Sequence, residues 1–234
     1  MGKGAVGLMD MGRSRWGMAA LCLILVFVAQ SGDSAQLGRY MVVIDPAHGG
    51  DEPGVVVENL REKDLSLKIA LLMAQEAKKT ANIDIQLLRS TDKAMTVSER
   101  YRSANGMNPH CLLSLHINAG FGKKAAGYEV YFPGFRYAAA GSGDSAAILK
   151  DMQKNSYLND SVKLAQHILA GLESVFPRSG RGLRDAPNPL LDALTFPGLI
   201  VEIGFATQTE ERKNLSAEEI QINIARALMK RLRS

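Results

Sequence analysis

Val42-Val43-Ile44-Asp45-Pro46-Ala47-His48-Gly49-Gly50 decides how this chain is read. An apolar, β-favouring run leads into one histidine on a Pro/Gly-rich turn. That is the pattern of a buried strand delivering an imidazole to the rim of a sheet. Cys111-Leu112-Leu113-Ser114-Leu115-His116 is a second such run ending in a histidine. Leu199-Ile200-Val201-Glu202-Ile203-Gly204-Phe205 is a third, with a carboxylate in its middle. Ligands of open α/β sheets bind at strand ends, so two histidines and a carboxylate there point to a metal hydrolase site.

Between these runs the pattern alternates. Leu65, Ile69, Leu72 and Met73 share one face of a helix predicted over 62–79. A short strand is expected around 84–89. Thr96 and Glu99 form a capping-box pair that opens a helix reaching about Asn105. Residues 128–132 read as a strand, and 138–145 as a small-residue surface loop. A helix is predicted over 159–176, with Val162, Ala165, Ile168, Leu169 and Leu172 inward. Residues 180–194, interrupted by Gly and Pro, read as loop plus a short turn. Ser216 and Glu219 read as a second capping box for a last helix carrying Ile220, Ile224, Ala227, Leu228 and Leu232. Strands alternating with helices predict an α/β fold: a single domain with a twisted, mostly parallel sheet and helices on both faces.

The 234 residues, 46% of them hydrophobic, suffice for one sizeable core. The net charge of +4 is mild and there is no Lys/Arg block, so nucleic acid is not an expected partner. Lys3, Arg13 and Arg15 precede an uncharged apolar stretch over 16–29 and a small, polar stretch over 30–36. This is the layout of a signal peptide over 1–35, which leaves 36–234 as the mature domain. An uncleaved anchor is the alternative, although the run is short against the about 20 residues a spanning helix needs. Membrane contact is therefore expected only through the leader. Removing it takes three basic and two acidic residues from the +4 total and leaves +3. Cys22 lies inside the apolar run rather than at its end, which does not fit a lipid attachment site. Cys111 is then the lone mature cysteine, read as a small buried hydrophobe and without a disulfide partner.

A catalytic zinc takes three protein ligands and leaves one position open. His48 and His116 supply two. The third must be another histidine, a cysteine or a carboxylate. His110 and His167 read as surface residues, and Glu62, at the start of the helix after the His48 turn, is the better candidate. Each has a plainer explanation. A histidine after a strand is often just a hydrogen-bonded loop residue, and a glutamate at a helix N-terminus favours the dipole. Glu202 is the hardest to explain structurally, because an unpaired carboxylate in an apolar run is costly to bury. It is either paired with a residue such as Arg184 or acts as a general base.

Four stretches, Val43 to Gly50, Leu60-Arg61-Glu62-Lys63-Asp64, Ser114-Leu115-His116-Ile117-Asn118-Ala119 and Val201-Glu202-Ile203-Gly204-Phe205, together resemble the zinc-dependent N-acetylmuramoyl-L-alanine amidases of the bacterial cell wall, the amidase-3 type. Arg89-Ser90-Thr91-Asp92 and Ser98-Glu99-Arg100 also look like that family. The resemblance runs from about Tyr40 to the C-terminus. It implies one zinc ion per chain on His48, Glu62 and His116, Glu202 as the catalytic carboxylate, and peptidoglycan as the substrate. Asn118 and the 120s loop are expected to line the cleft. An exported protein, periplasmic or extracellular and associated with the wall, is implied. Ala47 departs from the family's usual glycine and is expected to alter the turn slightly. Some members carry a long helical insertion that covers the zinc until a partner protein displaces it. The stretch from 136 to 157 is short for such a plug, so an activator is not expected. The competing readings are a non-catalytic wall-binding or activator protein and a zinc peptidase cutting within the stem peptide.

Overall fold

The structure is a computed structural model that describes residues 1–2, 39–122, 124–134 and 145–232. Most of the leader expected over 1–35 and of the loop expected over 138–145 lies outside the described residues. In chain order the elements are β1 (Tyr40–Pro46), β2 (Val56–Val57), β3 (Leu60–Arg61), α1 (Glu62–Ala77), β4 (Ile83–Leu87), α2 (Val97–Met107), β5 (Cys111–Asn118), β6 (Tyr128–Pro133), α3 (Ser145–Glu173), β7 (Gly180–Ala186), α4 (Pro189–Asp192), β8 (Gly198–Phe205), α5 (Thr209–Ser216) and α6 (Glu218–Arg231). Residues 39–234 make one compact unit. Among the described residues, no helix is long and apolar enough to cross a membrane.

Six strands form one sheet in the order β4-β1-β5-β8-β6-β7, and β2 and β3 form a separate small hairpin. Strands β4, β1, β5 and β8 run parallel; β6 is antiparallel to β8, and β7 runs parallel to β6. The mostly parallel sheet expected from the alternating pattern is therefore present. Alternation along each strand sorts the core into two faces. Val42, Ile44, Leu113, Leu115, Leu199 and Val201 pack with Ile69 and Met73 of α1, Ile168 of α3 and Leu228 of α6. Val43 and Leu112 face the other way, with Ala104 of α2, Leu190 of α4 and Phe196. Val42, Val43, Ile44, Leu112 and Leu113 are all fully buried, which is why β1 and β5 are apolar without a break.

The Thr96–Glu99 capping box opens α2 as expected. The second one does not form. Ser216 ends α5 and donates its hydroxyl to the Arg212 carbonyl at 2.8 Å, and Ala217 stands at the start of α6 without a side-chain cap. Helix α3 starts fourteen residues before the expected 159. Leu149 and Met152 in its first half are largely exposed, so apolar residues there do not mark a single inward face in the sequence. Residues 180–186, expected as loop, form β7. As the last strand of the sheet it pairs only with β6, and its register shifts opposite Tyr128 and Val130. An edge strand with few buried side chains has little apolar signature.

Candidate metal centre

β1 ends at Pro46, and the chain turns through His48 in the left-handed region, φ 61°. A non-glycine residue there costs about 1–3 kcal/mol and needs support from its surroundings. Two arginines provide it. Arg89 donates to the carbonyls of Pro46 at 2.9 Å, Ala47 at 2.8 Å and Lys63 at 2.8 Å, tying the turn to the start of α1. Arg100 is bonded to Asp45 and donates to the carbonyls of Pro46 at 3.0 Å and His48 at 2.8 Å. Lys63 adds bonds to the Gly50 carbonyl and to Asp92, both at 2.7 Å. Ala47 itself is not among the positive-φ residues, so the turn has no need of glycine there. The strained position is one residue later.

Glu62 opens α1 with its carboxylate turned away from that helix. One oxygen lies 3.1 Å from Nε2 of His48 and accepts from the Val55 N–H at 2.9 Å. The other lies 3.0 Å from Nδ1 of His116 and accepts from the Ile117 N–H at 3.1 Å. Burial pushes this carboxyl up, but the hydrogen bonds to His116, His48 and Val55 outweigh it and hold Glu62 well below the usual carboxylate range. The bond to Glu62 likewise raises His48 above its ordinary value, against the opposing pull of burial. The second ring nitrogen of His48 lies 3.0 Å from Glu52, which fixes how the imidazole is turned. The two imidazoles stand nearly edge to face, with ring centroids 5.5 Å apart.

Glu202 comes from the neighbouring strand. In the β5–β8 register it is the direct partner of His116, and in the β8–β6 register its partner is Glu129. Directly paired residues share a face, so His116, Glu202 and Glu129 form one transverse row. The Oε2 atom of Glu202 is buried and has no hydrogen-bond partner among the described residues. Burial, reinforced by the charges of Glu62 and Glu129 and opposed by the two histidines, pushes its pKa up to about 7. A carboxyl titrating there suits proton transfer at neutral pH. The alternative, an ion pair between Glu202 and Arg184, is not formed. Arg184 bonds Glu129 instead, at 2.7 Å, because register places it opposite Tyr131 on β6, one strand away from Glu202.

Three donors of the right chemistry thus converge. Each of His48, Glu62 and His116 offers one atom, and these atoms lie within 4.8 Å of one another. Two imidazole nitrogens and a carboxylate oxygen form a set that suits a borderline divalent ion. The wall beside them is shaped to leave room: a Cβ on Gly54 would lie 2.5 Å from both Glu62 Oε2 and the His48 ring. The residues fit a metal ion. His48, Glu62, His116, Asn118 and Glu202 line a shallow groove of about 440 Å³ over the centre.

The sequence from residue 42 to residue 234 matches the Amidase_3 family, N-acetylmuramoyl-L-alanine amidase. The chain belongs to this family. Escherichia coli AmiA, an N-acetylmuramoyl-L-alanine amidase, is 26% identical over 215 residues, covering 82% of this chain and 74% of that protein. The Bacillus subtilis protein YqiI, itself uncharacterised, is 26% identical over 218 residues, covering 93% of this chain and 95% of its own. The crystal structure of an N-acetylmuramoyl-L-alanine amidase from Clostridium difficile 630 superposes with a TM-score of 0.68 at 27% identity, covering 82% of this chain and 94% of that one. The α/β fold, the family and an enzyme that hydrolyses the peptidoglycan amide all agree with the sequence reading.

In this amidase Asn118 lines the groove, but its amide is already committed: Nδ2 donates to Glu129 at 3.0 Å. His110 bonds the Met41 N–H at the far edge of the sheet and His167 is exposed; neither belongs to the donor cluster. Cys111 is fully buried, and its thiol is pushed up to about 12 by desolvation. Glu129 and Arg181 were not singled out from sequence, and Arg184 was considered only as a partner for Glu202. Glu129 carried a usable signal, a carboxylate within Tyr128-Glu129-Val130-Tyr131-Phe132, the same anomaly that marks Glu202. Glu52 carried none.

Proposed function

We propose that this amidase is zinc-dependent, with one ion per chain held by His48, Glu62 and His116 and Glu202 as the proton-transferring residue. The observation that carries this reading is the three-donor cluster beside Glu202, whose buried Oε2 has no hydrogen-bond partner among the described residues. When bound, zinc supplies Lewis-acid polarisation of the scissile carbonyl and lowers the pKa of a water to about 7. Glu202 accepts the proton of the attacking water as the new C–O bond forms. It then delivers that proton to the nitrogen of L-alanine as the C–N bond breaks, releasing the stem peptide as an amine and leaving the muramoyl carboxylate on the glycan. Glu52 keeps the His48 ring turned toward the centre, and Arg89 and Arg100 hold the turn that carries it.

The same reading places the chain outside the cytoplasm, exported by residues 1–35 and acting on the wall with 36–234 as the catalytic domain. It also needs no activator. β6 is antiparallel to β5 and β8, so it ends, at Pro133, at the end of the strands away from His116. Tyr157, in the first half of α3, lines a cavity there with Tyr40, Ile83 and Pro197. Purified residues 36–234, loaded with zinc and given sacculi without any partner protein, should release peptides with a free L-alanine amine. Mass spectrometry that instead finds cuts within the stem peptide, or no release until a partner is added, would displace the reading.

A further inference from the structure

Glu129 is a second buried carboxylate in the row that crosses the sheet through His116 and Glu202, and it is crowded with donors. Its Oε1 accepts from Asn118 Nδ2 at 3.0 Å and from the Tyr131 hydroxyl at 2.9 Å. Its Oε2 accepts from Arg181 Nε at 3.1 Å and Arg184 Nε at 2.7 Å. Burial opposes ionisation, but Arg184, Tyr131 and Arg181 prevail and lower its pKa. One carboxylate therefore faces two guanidinium groups, and the cluster keeps a positive charge. The two arginines are not equivalent. Arg181 is committed on several sides: besides Glu129 it reaches the Ala126 carbonyl at 3.4 Å, and its guanidinium lies 5.0 Å from the centre of the Phe205 ring. Arg184 uses only Nε. Among the described residues its two Nη groups have no partner, and its side chain is 45% exposed. If neutralising Glu129 were the whole purpose, Arg181 would suffice.

We propose that Arg184, aimed by Glu129, binds a carboxylate on the peptide half of the substrate and makes this amidase selective for stem peptides in which that group is a free acid rather than a carboxamide. This rests on the amidase reading and names a specificity residue for it. A guanidinium with free Nη groups suits a carboxylate, which accepts paired N–H bonds in its plane. The glycan half has no carboxylate to offer, because the muramoyl carboxyl is consumed in the scissile amide. The peptide half keeps its own. The opposite rim reinforces the orientation: Glu52, beside His48, is exposed and would repel a carboxylate. Charge thus lays the peptide toward β6 and β7 and the glycan toward the His48 turn.

The test uses zinc-loaded mature enzyme and matched synthetic muramoyl peptides whose carboxylates are free or capped as carboxamides. A charge-assisted hydrogen bond gives a preference of roughly tenfold to a hundredfold in kcat/KM for the free acid. Arg184→Gln should bring that ratio close to one, with the change carried by KM. Arg184→Lys, which keeps the charge and loses the fork, should retain part of it. A wild-type enzyme that cleaves both peptides equally, or an Arg184→Gln variant that keeps the wild-type ratio, overturns the proposal. If Arg184→Gln melts early, the wild-type ratio and the lysine variant decide. Wild-type enzyme that cleaves neither peptide overturns the amidase reading itself, a different outcome from activity without preference.

Discussion

Gly54→Ala should damage the metal centre without touching a ligand. The residue sits at φ +66°, and a Cβ there would lie 2.5 Å from Glu62 Oε2 and 2.5 Å from the His48 ring. Carbon needs about 3.5 Å from such neighbours, so one or both must retreat by about 1 Å. Metal geometry tolerates displacements of only about 0.2 Å. Glu62 cannot yield freely, because both its oxygens are already held by backbone N–H groups and imidazoles. The variant should therefore bind zinc roughly 10–100-fold more weakly, the loss typical when the support of a ligand is disturbed. Backbone strain also contributes, at about 1–2 kcal/mol for a left-handed alanine. Gly122→Ala isolates that part: its φ is +77°, with nothing within 4 Å of the added carbon. Zinc affinity is measured by competition with a chelator, alongside the melting temperature, for both variants. The expected result is a modest melting loss in each and an affinity loss only in Gly54→Ala. Equal zinc affinity in Gly54→Ala and wild type would show that His48 and Glu62 do not hold the ion as described.

Cys111 should resist alkylation in the folded protein at pH 8 and react only on unfolding, since it is fully buried with its thiol pushed up to about 12; labelling at the native rate of a free thiol would contradict its placement. In metal-stripped protein, Glu202 should make stability pH-dependent. Its folded pKa of about 7 lies above the ordinary 4.5, so the stability it contributes is full below 4.5 and is lost as pH rises through 7, about 3 kcal/mol in all. The wild-type-minus-Glu202→Gln difference in urea unfolding isolates this slope, and a flat difference from pH 4.5 to 8 would refute it. The exported fraction of expressing cells should contain a species beginning between residues 32 and 36. Recovery only of full-length chain in the membrane fraction would favour an anchor.

Much of the fold was legible because its strands are buried on both faces. Val42, Val43, Ile44 and Leu112 to Leu115 have no solvent side, so their apolar runs stand out. The site was legible for the opposite reason: His48 and His116 stand at or near the ends of such runs, and Glu202 interrupts one in its middle. What escaped notice depends on partners that register supplies. Arg184 looked like a counter-ion for Glu202, but the antiparallel insertion of β6 puts Glu129 between them. β7 was hidden because an edge strand buries little, and the first half of α3 because apolar residues such as Leu149 and Met152 are exposed there and break the helical periodicity. The Ser216–Glu219 pair had the spacing of a cap, yet the Ser216 hydroxyl found the Arg212 carbonyl instead. Arg89 and Arg100 were visible only as residues of a resemblance; their work on the carbonyls of the His48 turn appears once the chain is folded.

Glu202→Gln tests the catalytic assignment most directly. The amide keeps the shape of the side chain in β8, beside His116 and Glu129, and cannot accept a proton from water. Zinc content, melting temperature and muropeptide release are measured on one preparation. The expected result is a full complement of zinc, a melting temperature at or above wild type, and turnover lower by at least roughly 10²–10⁴-fold. Turnover near wild type per folded molecule, with zinc retained, would remove Glu202 from the chemistry and contradict the mechanism.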